Sequence, residues 1–182
     1  MTKKHIKIIS IAALTLLSLL YGLSERDNPQ GKNNADSWIK VETVYDGDTI
    51  GARIENRREK IRLIGIDAPE MGQRPWGRKA REYLESLIAS SSGHVLLEYD
   101  VERRDKFNRI LAYIKTKDGR MVNAELVRNG YAVLFTFPPN VRHVGEFTSA
   151  QTEAREKRLG IWGNRGLKQM PVDYRREHPR TR

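Results

Sequence analysis

Between Arg62 and Glu70 the chain reads Arg-Leu-Ile-Gly-Ile-Asp-Ala-Pro-Glu: a guanidinium, a short apolar run, then carboxylates at Asp67 and Glu70. Pro69 separates the two acids and ends a strand there, because it offers no ladder N–H and holds Ala68 extended. Such a group fits the mouth of a sheet, where charges converge on a ligand. A strand with merely solvated ends fits the nonapeptide equally well. Asp48 shifts the balance toward a site. Asp46-Gly47 marks a tight turn and alone says no more than hairpin, but Asp48 opens the next strand, where an acid packs poorly. With Asp67 and Glu70 it supplies a third carboxylate, the set of hard oxygen donors that a divalent cation seeks. The stretch Asp105-Lys106-Phe107-Asn108-Arg109 stands before the apolar run Ile110 to Ile114; by itself it is a charged turn before an edge strand.

The elements that must position these groups follow from hydrophobic period. Trp38–Val44, Thr49–Ile54 and Glu59–Ile66 read as strands, with residues 55–58 as a polar hairpin turn. From Gly77 to Ser90 the period changes, with Ala80, Leu84, Leu87 and Ile88 on one helical face. Arg78/Glu82 and Arg81/Glu85 on its outer face form a solvated i, i+4 pattern that requires no function. Strands are expected again over 94–101 and 109–114, then a short helix over 123–129 stopped by Gly130, and a last helix over 145–158. This order is α+β, with about three helices. Five strands with a helix inserted after the third is also the order of a five-stranded OB-type barrel.

Several separated motifs, in order, resemble the staphylococcal-type thermonuclease family. They are Val44-Tyr45-Asp46-Gly47-Asp48-Thr49, the stretch 62–70, residues 105–109 with Leu111-Ala112-Tyr113-Ile114, Met121-Val122-Asn123, residues 125–130, and Pro139-Asn140 with His143. The resemblance spans about residues 38–163. It implies the closed OB-type barrel, which periodicity alone does not establish. It also implies roles for single residues. Asp48, Asp67 and the backbone carbonyl of Ala68 would be ligands of Ca²⁺, and Glu70 the carboxylate that positions or deprotonates an attacking water. Arg62 and Arg109 would grip the scissile phosphate, since a planar guanidinium meets the equatorial oxygens bidentately and keeps its proton. Lys106, Phe135 and Phe137 would contact substrate. Strict strand alternation places Arg62 and Asp67 on opposite faces, so their meeting needs a bend near Gly65 or Pro69.

The chain departs from the family pattern in places. Phe135-Thr136-Phe137 falls where the family relative has two nucleotide-flanking tyrosines, and Phe107 also replaces a tyrosine. A phenyl ring keeps the stacking face, worth ~1–3 kcal/mol per base, and loses the hydroxyl. Phe135 and Phe137 therefore have two readings, stacking platform or core. The loop from Met71 to Gly77 is short. Trp76 and Trp162 read as packing, and His94 and His143 lack ligand spacing.

Lys3, Lys4 and Lys7 precede a 13-residue apolar run, Ile8 to Leu20. This is the build of a secretory signal peptide over 1–24, with an uncleaved membrane anchor as the alternative. Residues 25–37 read as a polar linker, 38–163 as one domain, and 164–182 as a basic, unstructured tail. There is no Cys, so neither a disulfide framework nor a lipid-modified Cys exists. The formal charge is +10, and because residues 1–24 hold three Lys and no acid, the rest of the chain carries +7. A basic secreted protein has nucleic acid, anionic lipid and acidic glycan as candidate partners, and charge does not choose among them. The resemblance does: it implies a secreted Ca²⁺-dependent endonuclease acting on DNA and RNA with little sequence specificity and leaving 3′-phosphate ends. The other readings are a catalytically silent nucleic-acid-binding module of the same fold and an envelope protein gripping acidic polymers. A silent copy has no need of both arginines and all three acids. No protein partner is implied, and a monomer is expected.

Overall fold

The computed structural model describes residues 38–179; the expected signal and linker lie outside them. Five strands close into a barrel in the order β1 (Trp38–Val44), β2 (Thr49–Ile54), β3 (Arg57–Leu63), β6 (Ile110–Lys115) and β5 (His94–Glu98). Among the described residues four α-helices accompany it: α1 (Trp76–Ser90), α2 (Val122–Arg128), α3 (Val144–Glu156) and α4 (Pro171–Glu177). The fold is α+β with an OB-type barrel. Its core is made by alternating barrel positions such as Ile50, Ile61, Leu63, Val95, Leu97, Ala112 and Ile114, closed by Leu84 of α1 and Val122 and Leu126 of α2. Among the described residues no helix is long and apolar enough to cross a membrane.

Element bounds move by one to three residues from expectation, and two differences matter. The hairpin between β2 and β3 turns on only Glu55 and Asn56, both at positive φ, which matches the twist of a two-residue hairpin. Arg57 and Arg58 therefore pair with Ile54 and Arg53 instead of forming the turn. The expected third strand is also two strands. It breaks at Ile64, and Gly65–Asp67 continues as β4, paired antiparallel with β7 (Val133–Phe135), an element too short to show a period.

The break is made by Gly65, which sits at φ +79°. A Cβ there would lie 2.4 Å from Cε2 of the buried Phe147 ring. The carbonyl of Ile64, turned out of the ladder by this kink, accepts a hydrogen bond from the Asn123 amide at 2.8 Å, and Asn123 Oδ1 accepts from Ile114 N at 3.0 Å. Gly65→Ala is expected to cost ~3 kcal/mol, part left-handed backbone strain and part overpacking. A thermal melt should show a fall of roughly 10 °C; an unchanged melt would mean the kink needs no glycine.

At the end of β5, Glu98 accepts hydrogen bonds from Lys115 Nζ (2.7 Å), His143 Nε2 (2.8 Å) and Arg142 (3.2 Å). His143 thus has a structural partner, and its ring also stands edge-on to Tyr113. Burial would raise the Glu98 pKa, but hydrogen bonds from Lys115, His143 and Arg142 outweigh it and hold the carboxyl down at about 2. A depressed carboxyl stabilises the fold above its unfolded value of 4.5 and loses that contribution as pH falls toward 2. Glu98→Gln is expected to lower stability by roughly 2–3 kcal/mol at pH 7 and to flatten the acid limb of the stability curve between those values. Urea melts of both proteins across pH 2.5–7 check it.

Candidate active site

Asp48 stands at the start of β2, in a turn pressed against its surroundings: a Cβ on Gly47 would lie 2.6 Å from the Ala80 methyl of α1 and 2.7 Å from that of Ala68. This close approach brings Asp48 to β4. The Ala68 N–H donates to Asp48 Oδ2 at 2.8 Å. From β3, one terminal nitrogen of Arg62 reaches Asp48 Oδ2 at 2.9 Å and the other reaches Asp67 Oδ1 at 3.2 Å. The kink at Gly65 thus undoes the alternation that would separate Arg62 from Asp67. Asp48 and Asp67 are 7% and 1% exposed: two buried carboxylates bridged by one guanidinium. Burial pushes Asp48 up to about 7, against the opposing pull of Arg62 and with a further push from Asp46 and Asp67.

Glu70 follows Pro69 at the rim. Its backbone N–H donates to Gln73 Oε1 at 2.9 Å, which fixes the turn into α1. Arg109 does not join the carboxylate cluster by an ion pair; its Nε donates to Asp105 Oδ2 at 2.7 Å, and its N–H donates to Asp105 Oδ1 at 2.9 Å. Register nevertheless places it on the cluster's side. β3 and β6 run parallel with Arg62 opposite Leu111, so continuing the alternation two positions back from Leu111 brings Arg109, just before β6, to the outward side about 7 Å away. Burial raises the Asp105 pKa, but the N–H and guanidinium of Arg109 outweigh it and hold the group ionised and below its usual range. Asp105 therefore positions Arg109. The i, i+4 spacing carries that signal.

The aromatic positions are not core. Phe135 is 38% exposed and Phe137 is 67% exposed. Phe107 is also at the surface, with Lys106 Nζ 5.2 Å and Arg109 Cζ 5.6 Å from its ring centre. Trp76 packs on α1 under Lys79 and donates its Nε1–H to the Arg165 carbonyl at 3.3 Å.

A family model described as staphylococcal nuclease homologue matches residues 60–164. A thermonuclease from Staphylococcus intermedius is 34% identical over 169 residues, covering 88% of this chain and 98% of that protein. The chain belongs to the staphylococcal nuclease family. A Staphylococcus hyicus thermonuclease is 30% identical over 164 residues, covering 86% of this chain and 95% of that protein. Endonuclease YncB of Bacillus subtilis (strain 168) is 31% identical over 135 residues, covering 70% of this chain and 63% of that protein. Membership makes this chain a nuclease, with nucleic acid as its substrate class. Arg62, Asp67, Glu70 and Arg109 fall inside the matched segment and Asp48 lies upstream of it, immediately before the barrel strand paired to β3.

One residue at the site had no signal in the sequence. Arg175 of α4 donates to Asp67 Oδ1 at 3.0 Å and Asp67 Oδ2 at 2.8 Å, and to Glu70 Oε1 at 2.9 Å. These bonds to Asp67 and Glu70 raise its pKa further above the ordinary arginine range. Residues 164–179 are accordingly not the unstructured tail that their basic composition suggests. Pro171 at the first helical position and Asp173 in the first turn favour a short helix, and Gln73 Nε2 donates to the Gln169 carbonyl at 2.8 Å.

Proposed function

We propose that the chain is a secreted Ca²⁺-dependent endonuclease that hydrolyses DNA and RNA with little sequence specificity and leaves 3′-phosphate ends. The observation that carries this reading is the pair of buried carboxylates, Asp48 and Asp67, joined to one arginine at the barrel mouth. Among the described residues no group of three or more His, Cys, Asp or Glu side chains makes a ready metal cluster. The donor set for an ion is therefore two carboxylates plus backbone, with the Ala68 carbonyl as the third oxygen. All are hard oxygen donors that leave room for water and a phosphate oxygen, which suits Ca²⁺ better than a softer metal. A buried carboxyl pushed up to about 7 is also one that still lacks positive charge. When bound, the ion would neutralise charge on the phosphate undergoing substitution.

Arg62 of β3 and Arg109, just before the adjacent parallel β6, grip the phosphate. They stabilise the negative charge that collects on its equatorial oxygens as phosphorus becomes five-coordinate. Glu70 takes a proton from the water whose oxygen bonds to phosphorus; the bond to the 5′-oxygen breaks, and that oxygen leaves and is protonated. The exposed rings of Phe135 and Phe137, with Lys106, offer sequence-tolerant contacts to unpaired bases and backbone. No base-reading motif appears in the sequence, in keeping with low base specificity. The apolar run before residue 24 supports export, and the chain is expected to act as a monomer.

Incubating the protein with single-stranded DNA and with RNA, in Ca²⁺ or in EDTA, and identifying the ends tests the reading. Both polymers should be cut internally in Ca²⁺ alone, and the products should accept a 3′-extension only after phosphatase treatment. Cutting that persists in EDTA, or 5′-phosphate products, would overturn it.

A further inference from the structure

Arg175 commits three hydrogen bonds to two of the site's acids from a helix more than a hundred residues away in the chain. It takes both oxygens of Asp67 in a forked, bidentate geometry. A cation bound to Asp67 would sit ~2.3–2.6 Å from the same oxygens and so within a few ångströms of a fixed positive charge. The charge balance agrees. Asp48, Asp67 and Glu70 against Arg62 leave a formal −2, the complement of a divalent ion, whereas adding Arg175 leaves only −1. The guanidinium and the ion are competitors for one position.

The segment that brings Arg175 in is built to come away. Its helix is seven residues long, far too short to hold its shape without tertiary contacts. Apart from the Arg175 pairs, few hydrogen bonds join it to the rest of the domain: Gln73 to the Gln169 carbonyl, the long Trp76 bond to the Arg165 carbonyl, and the Gly166 and Leu167 N–H groups to the Gly163 and Ile161 carbonyls, while Tyr174 seats against Gly72. Pro171 is the helix's single buried residue, Val172, Arg176 and Glu177 are exposed, and the Arg175 side chain itself is 37% exposed. The segment also lies past residue 164, where the family match ends.

We infer that residues 164–179 form an autoinhibitory latch, in which Arg175 occupies both oxygens of the cation ligand Asp67, with Glu70 beside it, until Ca²⁺ displaces it and frees the segment. This rests on the metal-site reading above. It predicts a nuclease that stays closed where calcium is scarce and opens where calcium is plentiful. A third phosphate-gripping arginine would be the opposite role, because Arg175 would then be needed in the loaded site.

Two measurements on the full chain decide it. Hydrogen–deuterium exchange of wild type should show the amides of 171–177 losing protection when Ca²⁺ is added, with trypsin cutting faster after Arg175 and Arg176. A calorimetric Ca²⁺ titration should show Arg175→Gln binding about tenfold more tightly than wild type, as expected if the open form is about a tenth of the population. Unchanged or greater protection of the segment in Ca²⁺ overturns the latch, as does equal or weaker affinity in the variant. If neither protein binds Ca²⁺, the metal site itself is wrong and the latch falls with it; equal binding by both removes the latch alone. Should Arg175→Gln fold poorly, the exchange experiment on wild type still gives the answer.

Discussion

Asp67→Asn is expected to abolish cleavage and to remove most of the stabilisation that Ca²⁺ confers. In wild type, an ion present at a hundredfold excess over its dissociation constant should add ~2.7 kcal/mol to stability by mass action. An amide supplies one neutral oxygen where the carboxylate supplied a charge, so that increment should shrink to a small fraction. Turnover should fall by roughly a thousandfold or more, the order seen when one electrostatic partner of a transition state is removed. Sequence considerations alone suggest that the metal-free variant should be no less stable, since two neighbouring acids repel. The structure reverses that sign. Asp67 is 1% exposed and accepts charge-assisted hydrogen bonds from both Arg62 and Arg175, and an amide cannot answer two guanidinia. A loss of about 1–3 kcal/mol in EDTA is expected instead. Melts of both proteins with and without Ca²⁺, together with a cleavage assay, measure every part of this. Wild-type melts that do not respond to the ion, with activity intact in EDTA, would sink the metal site.

Arg109→Lys should lower turnover by about a hundred- to a thousandfold while leaving the fold intact. Lysine keeps the charge, and it can keep an ion pair with Asp105, so stability and substrate affinity should move little. What it loses is the planar fork, and with it the geometry that Asp105 imposes through a 2.7 Å bond to Nε. The remaining nitrogen is a mobile point charge, unable to meet two equatorial oxygens at once. The signature is a fall in kcat with KM nearly unchanged, because the missing contact is made chiefly in the transition state. A variant that cuts at near the wild-type rate would remove Arg109 from the phosphate clamp.

Asp48, Arg62, Asp67 and Glu70 stand out by type and order in the chain, whereas Arg109 is singled out only through resemblance; the strands and helices around them, β7 and α4 apart, also follow from the sequence. The reason is local: alternation, helical period, an Asp-Gly turn and a Pro after Ala68 each leave a signal within a few residues. The closed barrel was legible only through resemblance, since the pairing of β3 with β6 joins segments some fifty residues apart and no local pattern encodes it.

What tertiary structure alone decided concerns convergence. Alternation puts Arg62 and Asp67 on opposite faces, and they meet because Gly65 adopts a left-handed conformation against the Phe147 ring, with Asn123 holding the carbonyl that the kink releases. A glycine in an apolar run announces freedom to bend, not the direction of the bend. Phe135 and Phe137 look alike in sequence as core or platform, and only their exposure separates the two. Arg175 is the plainest case. In sequence it is one cation among several in a basic tail; in the fold it finds Asp67 and Glu70. A long-range ion pair depends on where two segments end up in space, and the residues near Arg175 carry no trace of its partners.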